Sequence, residues 1–231
     1  MIKIDIFSDF VCPFCYIGKA QLDKAIDELG LRDEVQINYL AFELRPDAPT
    51  EPGTSYIEGV MKKFPSEEYV NENVLGPMMA EAHEVGIDMR FDELDQQNTF
   101  DAHRLAKYAK FYGKDSAFFE KGYETIFKDN GFMADADTLV DIATDVGLDA
   151  DQARAVVEDK EKFAEIVRED EAKAQRMGVN GVPFFIFNDK YSLSGSQGVE
   201  AFKNTLEKVN EEVGLIDLSA DSKICGPDGC H

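Results

Sequence analysis

From residue 2 to residue 7 apolar side chains alternate with polar ones, Ile2, Ile4 and Ile6 against Lys3 and Asp5, which is the period of a strand entering a core. The alternation stops at Ser8-Asp9. After Cys12-Pro13-Phe14-Cys15 the period lengthens: Ile17, Leu22, Ala25, Ile26 and Leu29 recur at helical spacing up to Gly30, a residue suited to close a helix. A second strand is predicted from Val35 to Leu44, with Val35, Ile37, Tyr39 and Ala41 on one face, before Arg45-Pro46 breaks it. Strand, helix and strand of these lengths make a βαβ unit with a right-handed crossover.

From about residue 55 to 177 the pattern is helical and punctuated by Gly and Pro. It predicts helices over Ser66 to Val85, Thr99 to Tyr112, Ser116 to Lys128, Thr138 to Val146 and Asp149 to Arg176, the last with a break near Asp159-Lys160. Asp135 before Thr138 and Asp149 before Gln152 have the spacing of N-terminal caps. Strand character returns in the apolar run Val182 to Phe187 and, across an Asn188-Asp189-Lys190 turn, in Tyr191 to Ser194. A last amphipathic helix, about Val199 to Val213, precedes a tail. The order is βαβ, a helical block and ββα. The fold class is therefore α/β: a discontinuous core over 1–54 and 178–213, a helical insertion domain over 55–177 and a tail over 214–231.

Composition narrows the partners. The chain has 231 residues, 44% hydrophobic and 30% charged, which excludes whole-chain disorder. A net charge of −22 opposes phosphate backbones and anionic lipid headgroups, so neither nucleic acid nor a membrane surface is expected as a partner. The first residues lack a basic head followed by a long apolar run, and no segment approaches a membrane span, so a cytoplasmic location is expected. In that compartment paired cysteines are catalytic, redox-sensing or metal-binding more often than structural.

The four cysteines form two close pairs, Cys12 with Cys15 and Cys225 with Cys230. The first pair opens a helix, where unpaired N–H groups and the positive end of the dipole favour a thiolate. Pro13 suits the first helical position, since its missing N–H costs nothing there. Cys12 is then the attacking sulfur, and Cys15, one turn in, its resolving partner. Buried core cysteines and half of a zinc site are the alternatives. The Gly181-Val182-Pro183 step fits either an ordinary edge-strand proline or a cis Val182-Pro183 bond that exposes the Val182 backbone to an extended substrate.

These residues carry a resemblance. Cys-Pro-Phe-Cys between strand and helix, the inserted helical block and Gly-Val-Pro-Phe-Phe before a hairpin resemble the DsbA-like branch of the thioredoxin superfamily. More closely, Phe7 to Lys19, Asn98 to Arg104 and Ser194 to Gln197 resemble the FrnE-type cytosolic disulfide oxidoreductases, over nearly the whole chain. One departure is Phe14, where that group often has Trp. The resemblance implies a thioredoxin-like core with a helical insertion, a nucleophilic Cys12, a resolving Cys15 and a cis Pro183. Related kappa-class glutathione transferases and 2-hydroxychromene-2-carboxylate isomerases carry serine at the position of Cys12, so a cysteine pair favours thiol exchange over transfer or isomerisation. Ser196 and Gln197 match the place where those relatives hold glutathione. A plain turn is the favoured reading of them, and glutathione as a co-substrate stays open.

Protein or small disulfides are the expected substrates, with no resident cofactor and no metal site assigned. Phe14 adds no cation between the cysteines, so a reductase or isomerase is expected rather than a strong oxidant. The CX4C tail, Cys225 to Cys230, is read as an accessory redox pair, or as an inert tail; a metal reading would add His231 and the first pair. His83 is given no role, while Asn98 and His103 lie in the resembling segment and are assigned substrate-side or hinge duty. Two rival classes remain, a glutathione-dependent transferase or isomerase and a redox-sensing chaperone or metal-binding protein.

Overall fold

The computed structural model describes the backbone of residues 1–220, 225–226 and 229–230, with side chains through residue 212. Strand β1 (Ile2–Ser8) pairs in parallel with β2 (Val35–Ala41), in a register that sets Ile2 opposite Val35 and Ser8 opposite Ala41. Helix α1 (Pro13–Leu29) makes the crossover between them. Gly30, at φ 67°, lets the Leu31 N–H reach back to the Ile26 carbonyl at 3.0 Å and closes that helix. On its other edge β1 runs antiparallel to β3 (Phe184–Phe187), and β3 to β4 (Tyr191–Ser194), giving the order β2-β1-β3-β4.

Between β2 and β3 come α2 (Tyr56–Met61), α3 (Glu67–Val70), α4 (Gly76–Glu84), α5 (Phe100–Lys110), α6 (Asp115–Phe127), α7 (Ala136–Asp145), α8 (Ala150–Glu158) and α9 (Ala164–Arg176). The stretch from Ser66 to Val85, read from periodicity as one helix, is a helical run with a π turn at Asn71–Leu75 between α3 and α4. Pro77 has no N–H for the preceding turn, and the widened turn absorbs that loss. The Asp135 and Asp149 carboxylates accept from the Thr138 and Gln152 N–H groups at 2.8 and 2.9 Å. α8 and α9 separate because buried Arg104 collects the free carbonyls of Val156, Val157, Asp159 and Lys162 at 2.7 to 3.0 Å, which ends the helix there. The last helix, α10 (Val199–Ala220), runs past residue 213, where the sequence pattern ended it.

The largest difference from the sequence pattern concerns β1. Alternation predicts a solvated face carrying Asp5, but Asp5 is 2% exposed and Phe7 is wholly buried. The sheet is covered on both sides. α1 and α10 pack together beside β1, while α9 lies against β2 and closes a second apolar cluster of Phe7, Leu40, Ala174, Val179 and Ile186. Asp5 survives burial because the Asn38 amide donates to it at 2.8 Å, Lys173 lies at 3.0 Å and Lys3 at 3.5 Å. Among the described residues no helix is long and apolar enough to cross a membrane.

Burial pushes the Asp5 carboxyl up, but Asn38, Lys173 and Lys3 outweigh it and hold the group below the usual carboxylate range. A depressed acid contributes stability above its unfolded value, about 3.9, and loses it as pH falls through the folded value. Asp5→Asn is therefore expected to lower the thermal midpoint at neutral pH by about 2–4 °C, corresponding to about 1 kcal/mol. The gap from wild type should close below about pH 4 in a calorimetric pH series.

Candidate active site

The C-terminal end of β1 and the N-terminus of α1 meet at Cys12, which keeps extended backbone angles, φ −97° and ψ 108°, while its carbonyl already accepts the Cys15 N–H at 3.0 Å. Pro13 occupies the first turn, and no acidic side chain lies in it. The Cys12 N–H donates to the Asp9 carbonyl at 3.2 Å, which fixes the turn leading into the motif. Both cysteines are free thiols, 4% and 1% exposed. Phe14 between them is 38% exposed.

Against this turn lies the loop before β3. The Val182–Pro183 peptide is cis, and the Cys12 thiol points at the Val182 carbonyl, with Sγ 3.5 Å from the oxygen. The Pro183 carbonyl accepts the Gly195 N–H at 2.8 Å, so the end of β4 holds the loop in place. Gly18 allows the close approach of α1, since a Cβ there would meet Pro183 and Phe185 at 3.2 Å.

Burial pushes the Cys15 thiol well up and the neighbouring Cys12 adds to this, with Ser8 and the Asp9 backbone opposing it. Behind Ser8, its Oγ lies 2.5 Å from the Tyr123 hydroxyl of α6. Asp9 is wholly buried. Thr99 donates to its Oδ1 at 2.8 Å, the Leu44 N–H to its Oδ2 at 2.7 Å, and the His103 Nε2 lies 3.3 Å from Oδ1.

The residues singled out in the sequence thus separate. Cys12, Pro13, Phe14, Cys15, Val182 and Pro183 come together. Ser196 and Gln197 follow Gly195, which is bonded to the cis-proline loop, and the Gln197 amide turns back to the Ser194 carbonyl at 2.6 Å. Asn98 serves as a tether, its amide donating to the Pro46 carbonyl at 2.9 Å. His103 has no exposed surface and faces Asp9, so the substrate-side duty assigned to it is corrected: helix α5 turns the ring inward, between Phe10 at 5.1 Å and Phe119 at 6.0 Å. The side chains of Cys225 and Cys230 lie outside the described residues; the Cys225–Gly226 backbone pairs antiparallel with Gly229–Cys230.

Ser8, Asp9, Thr99 and Tyr123 were not singled out. Ser8-Asp9 reads in sequence only as the end of a strand, and Tyr123 only as one aromatic on an apolar helix face. A small pocket of about 60 Å³, lined by Val11, Leu44, Arg45, Tyr56, Gln96 and Gln97, opens beside Cys12. Burial and the nearby Cys12 hold the Tyr56 hydroxyl above its ordinary range, so it stays neutral there. A larger cavity of about 690 Å³ between Glu43, Arg168 and Asn180 borders the cis-proline loop and contains neither cysteine.

Residues 3–207 match the family model described as the DSBA-like thioredoxin domain. The uncharacterized protein YwbO of Bacillus subtilis is 26% identical over 207 residues, 89% of this chain and 96% of that protein. Among solved structures, a probable DsbA oxidoreductase from Streptomyces coelicolor is 31% identical, with a TM-score of 0.84 and coverage of 100% of this chain and 99% of the other. The cytosolic disulfide reductase DsbM from Pseudomonas aeruginosa shares the fold at 14% identity, with a TM-score of 0.62 and coverage of 89% and 98%.

The raised Cys15 thiol has a direct readout. Brief alkylation of the native reduced protein at neutral pH, followed by peptide mass mapping, is expected to label Cys12 first and to leave Cys15 unmodified until the chain is unfolded. Equal labelling of both would contradict the site as described.

Proposed function

The chain belongs to the DSBA-like thioredoxin domain family, and from that premise we propose that it is a thiol–disulfide oxidoreductase with Cys12 as nucleophile and Cys15 as resolving thiol. The observation that carries this reading is the pair one helical turn apart, with the outer sulfur 3.5 Å from the carbonyl of a cis-proline loop. An extended substrate segment can pair with the Val182 backbone and so bring its disulfide to Cys12. Pockets and an exposed Phe14 beside the motif supply apolar and polar contacts for such a segment.

In the reducing direction the Cys12 thiolate attacks one substrate sulfur, and the other leaves as a thiolate that takes up a proton. Cys15 then attacks the Cys12 sulfur of the mixed disulfide. The second substrate sulfur is released as a thiol, and the protein is left with a Cys12–Cys15 disulfide. Two substrate sulfurs are reduced and two protein sulfurs oxidised. An external thiol restores the dithiol form, and glutathione is the co-substrate proposed for that step.

The reducing direction is favoured because Phe14 places no cation between the cysteines, and a cytoplasmic setting agrees with it. Reference active sites span about −270 mV to about −120 mV, a gap of about 7 kcal/mol. Equilibration with glutathione buffers is expected to place this protein in the lower to middle part of that span, and a potential near the upper end would overturn the direction.

Insulin reduction tests the chemistry itself. Cys12→Ser is expected to abolish turnover, and Cys15→Ser to leave a Cys12-linked mixed disulfide that mass mapping identifies. Retained activity of Cys12→Ser would instead point to a glutathione-dependent transferase or isomerase.

A further inference from the structure

Beside Cys12 one cation lacks the kind of partner that most arginines of this chain have. Arg32, Arg90, Arg104, Arg154 and Arg168 each hold a carboxylate in an ion pair. Arg45, half-buried, holds none among the described residues; its Nη1 donates instead to the neutral Gln96 Oε1 at 2.6 Å. A guanidinium carries five N–H donors, so most of them are left over. The segment that bears Arg45 is anchored at the cysteine motif. The Leu44 N–H donates at 2.7 Å to Oδ2 of Asp9, three residues before Cys12, and Val11, next to Cys12, lines the same pocket as Arg45.

That pocket, about 60 Å³, is a few times the space one water needs, so it takes a group of carboxylate size. Val11, Leu44, Arg45, Tyr56, Gln96 and Gln97 line it, and none of them is acidic. The two glutamines are committed elsewhere. Gln96 Nε2 donates to the Ser55 carbonyl at 3.0 Å while its Oε1 takes Arg45, and Gly59 leaves room for this, since a Cβ there would collide with the amide. Gln97 Nε2 donates to the Gly131 carbonyl at 3.1 Å, and its Oε1 accepts the Met133 N–H. The donors left for a ligand are the rest of the Arg45 guanidinium and the Tyr56 hydroxyl. That hydroxyl has no hydrogen bond among the described residues, and its ring is held against Phe91 at a centroid distance of 5.7 Å. Burial keeps the phenol protonated and so a donor. A guanidinium and a phenol O–H in one small pocket without an acid match a carboxylate.

We propose that Arg45 and Tyr56 form a carboxylate subsite beside Cys12 that selects peptide disulfides with an acidic residue near the reacting half-cystine. The inference rests on the oxidoreductase reading and deepens it by naming a substrate class. A substrate sulfur bonded to Cys12 brings the residues that flank it to the pocket, where a carboxylate meets the guanidinium and a lysine in its place is repelled. The net charge of −22 works against an acidic ligand only from a distance. Ions screen surface charges beyond about 8 Å at physiological ionic strength, whereas a hydrogen-bonded pair with Arg45 is made in contact.

The test measures second-order rate constants for reduced protein with quenched fluorescent peptide disulfides that differ at one position, Glu, Gln or Lys, close to the half-cystine on either side. The Glu-to-Gln rate ratio is expected to fall about tenfold from wild type to Arg45→Gln, the size of one charge-assisted hydrogen bond at a partly solvated site. Comparing the two proteins cancels the intrinsic reactivity of the peptides. Arg45→Glu should move the preference to the Lys peptide. Tyr56→Phe, which loses one hydroxyl and keeps the ring, should lower the Glu-to-Gln ratio about threefold. Equal ratios in wild type, Arg45→Gln and Tyr56→Phe would overturn the subsite. So would a loss confined to glutathione disulfide, whose carboxylates are the other source of this chemistry, with the peptide ratios unmoved. Should Arg45→Gln fold poorly, Tyr56→Phe decides. Failure of wild type to exchange with any peptide would overturn the oxidoreductase reading itself, an outcome distinct from exchange without preference.

Discussion

The carboxylate of Asp9 holds the parts of this molecule in one arrangement. It sits three residues before Cys12, with no exposed surface, and a buried carboxylate is tolerated only when its oxygens are hydrogen-bonded. Its partners come from three places: Leu44 in the segment after β2, Thr99 at the start of α5 and His103 within α5. Its backbone carbonyl takes the Cys12 N–H. A single residue therefore fixes the turn that presents the cysteine pair, the exit of the parallel strand and the inserted helices. Moving any one of them would strand a charge away from water.

Around that point the insertion is joined to the sheet by aromatic packing. Phe10 stacks on Phe119 at 4.2 Å and Tyr39 on the same ring at 4.0 Å, so α6 is clamped between the loop before Cys12 and β2. Gly122 makes this approach feasible, for a Cβ there would lie 2.7 Å from the Phe10 ring. Such contacts explain why the helical block belongs to the site and is more than a decoration on the sheet. It supplies Thr99 and His103 to Asp9, Tyr123 to Ser8 and Tyr56 to the pocket beside Cys12.

The division of labour proposed for the two chemically identical thiols rests on the same geometry. Cys12 caps the helix and faces the cis-proline loop. Cys15, 1% exposed, lies in the apolar core. Burial keeps it protonated at rest, as the proposed resolving role requires before Cys12 is engaged.

Local pattern determined much of this protein. Periodicity distinguished strand from helix, Gly30 and the two aspartate caps marked helix ends, and Cys12-Pro13-Phe14-Cys15 marked the turn between β1 and α1. A Gly-Val-Pro step marked the loop that faces it, although only the fold put the Val182 carbonyl beside the sulfur. What tertiary structure decided has one physical source. Hydrophobic period reports which way a side chain faces from its own element, and it carries no information about what packs on either side. Hence Asp5 and Phe7 looked half-solvated until α9 covered them. Ser8 looked like a strand end until Tyr123, 115 residues later, met it, and Asp9 looked like a turn until Thr99, 90 residues on, donated to it. Polar groups are placed by the partners that burial obliges them to find, and in this chain those partners lie far away along the sequence.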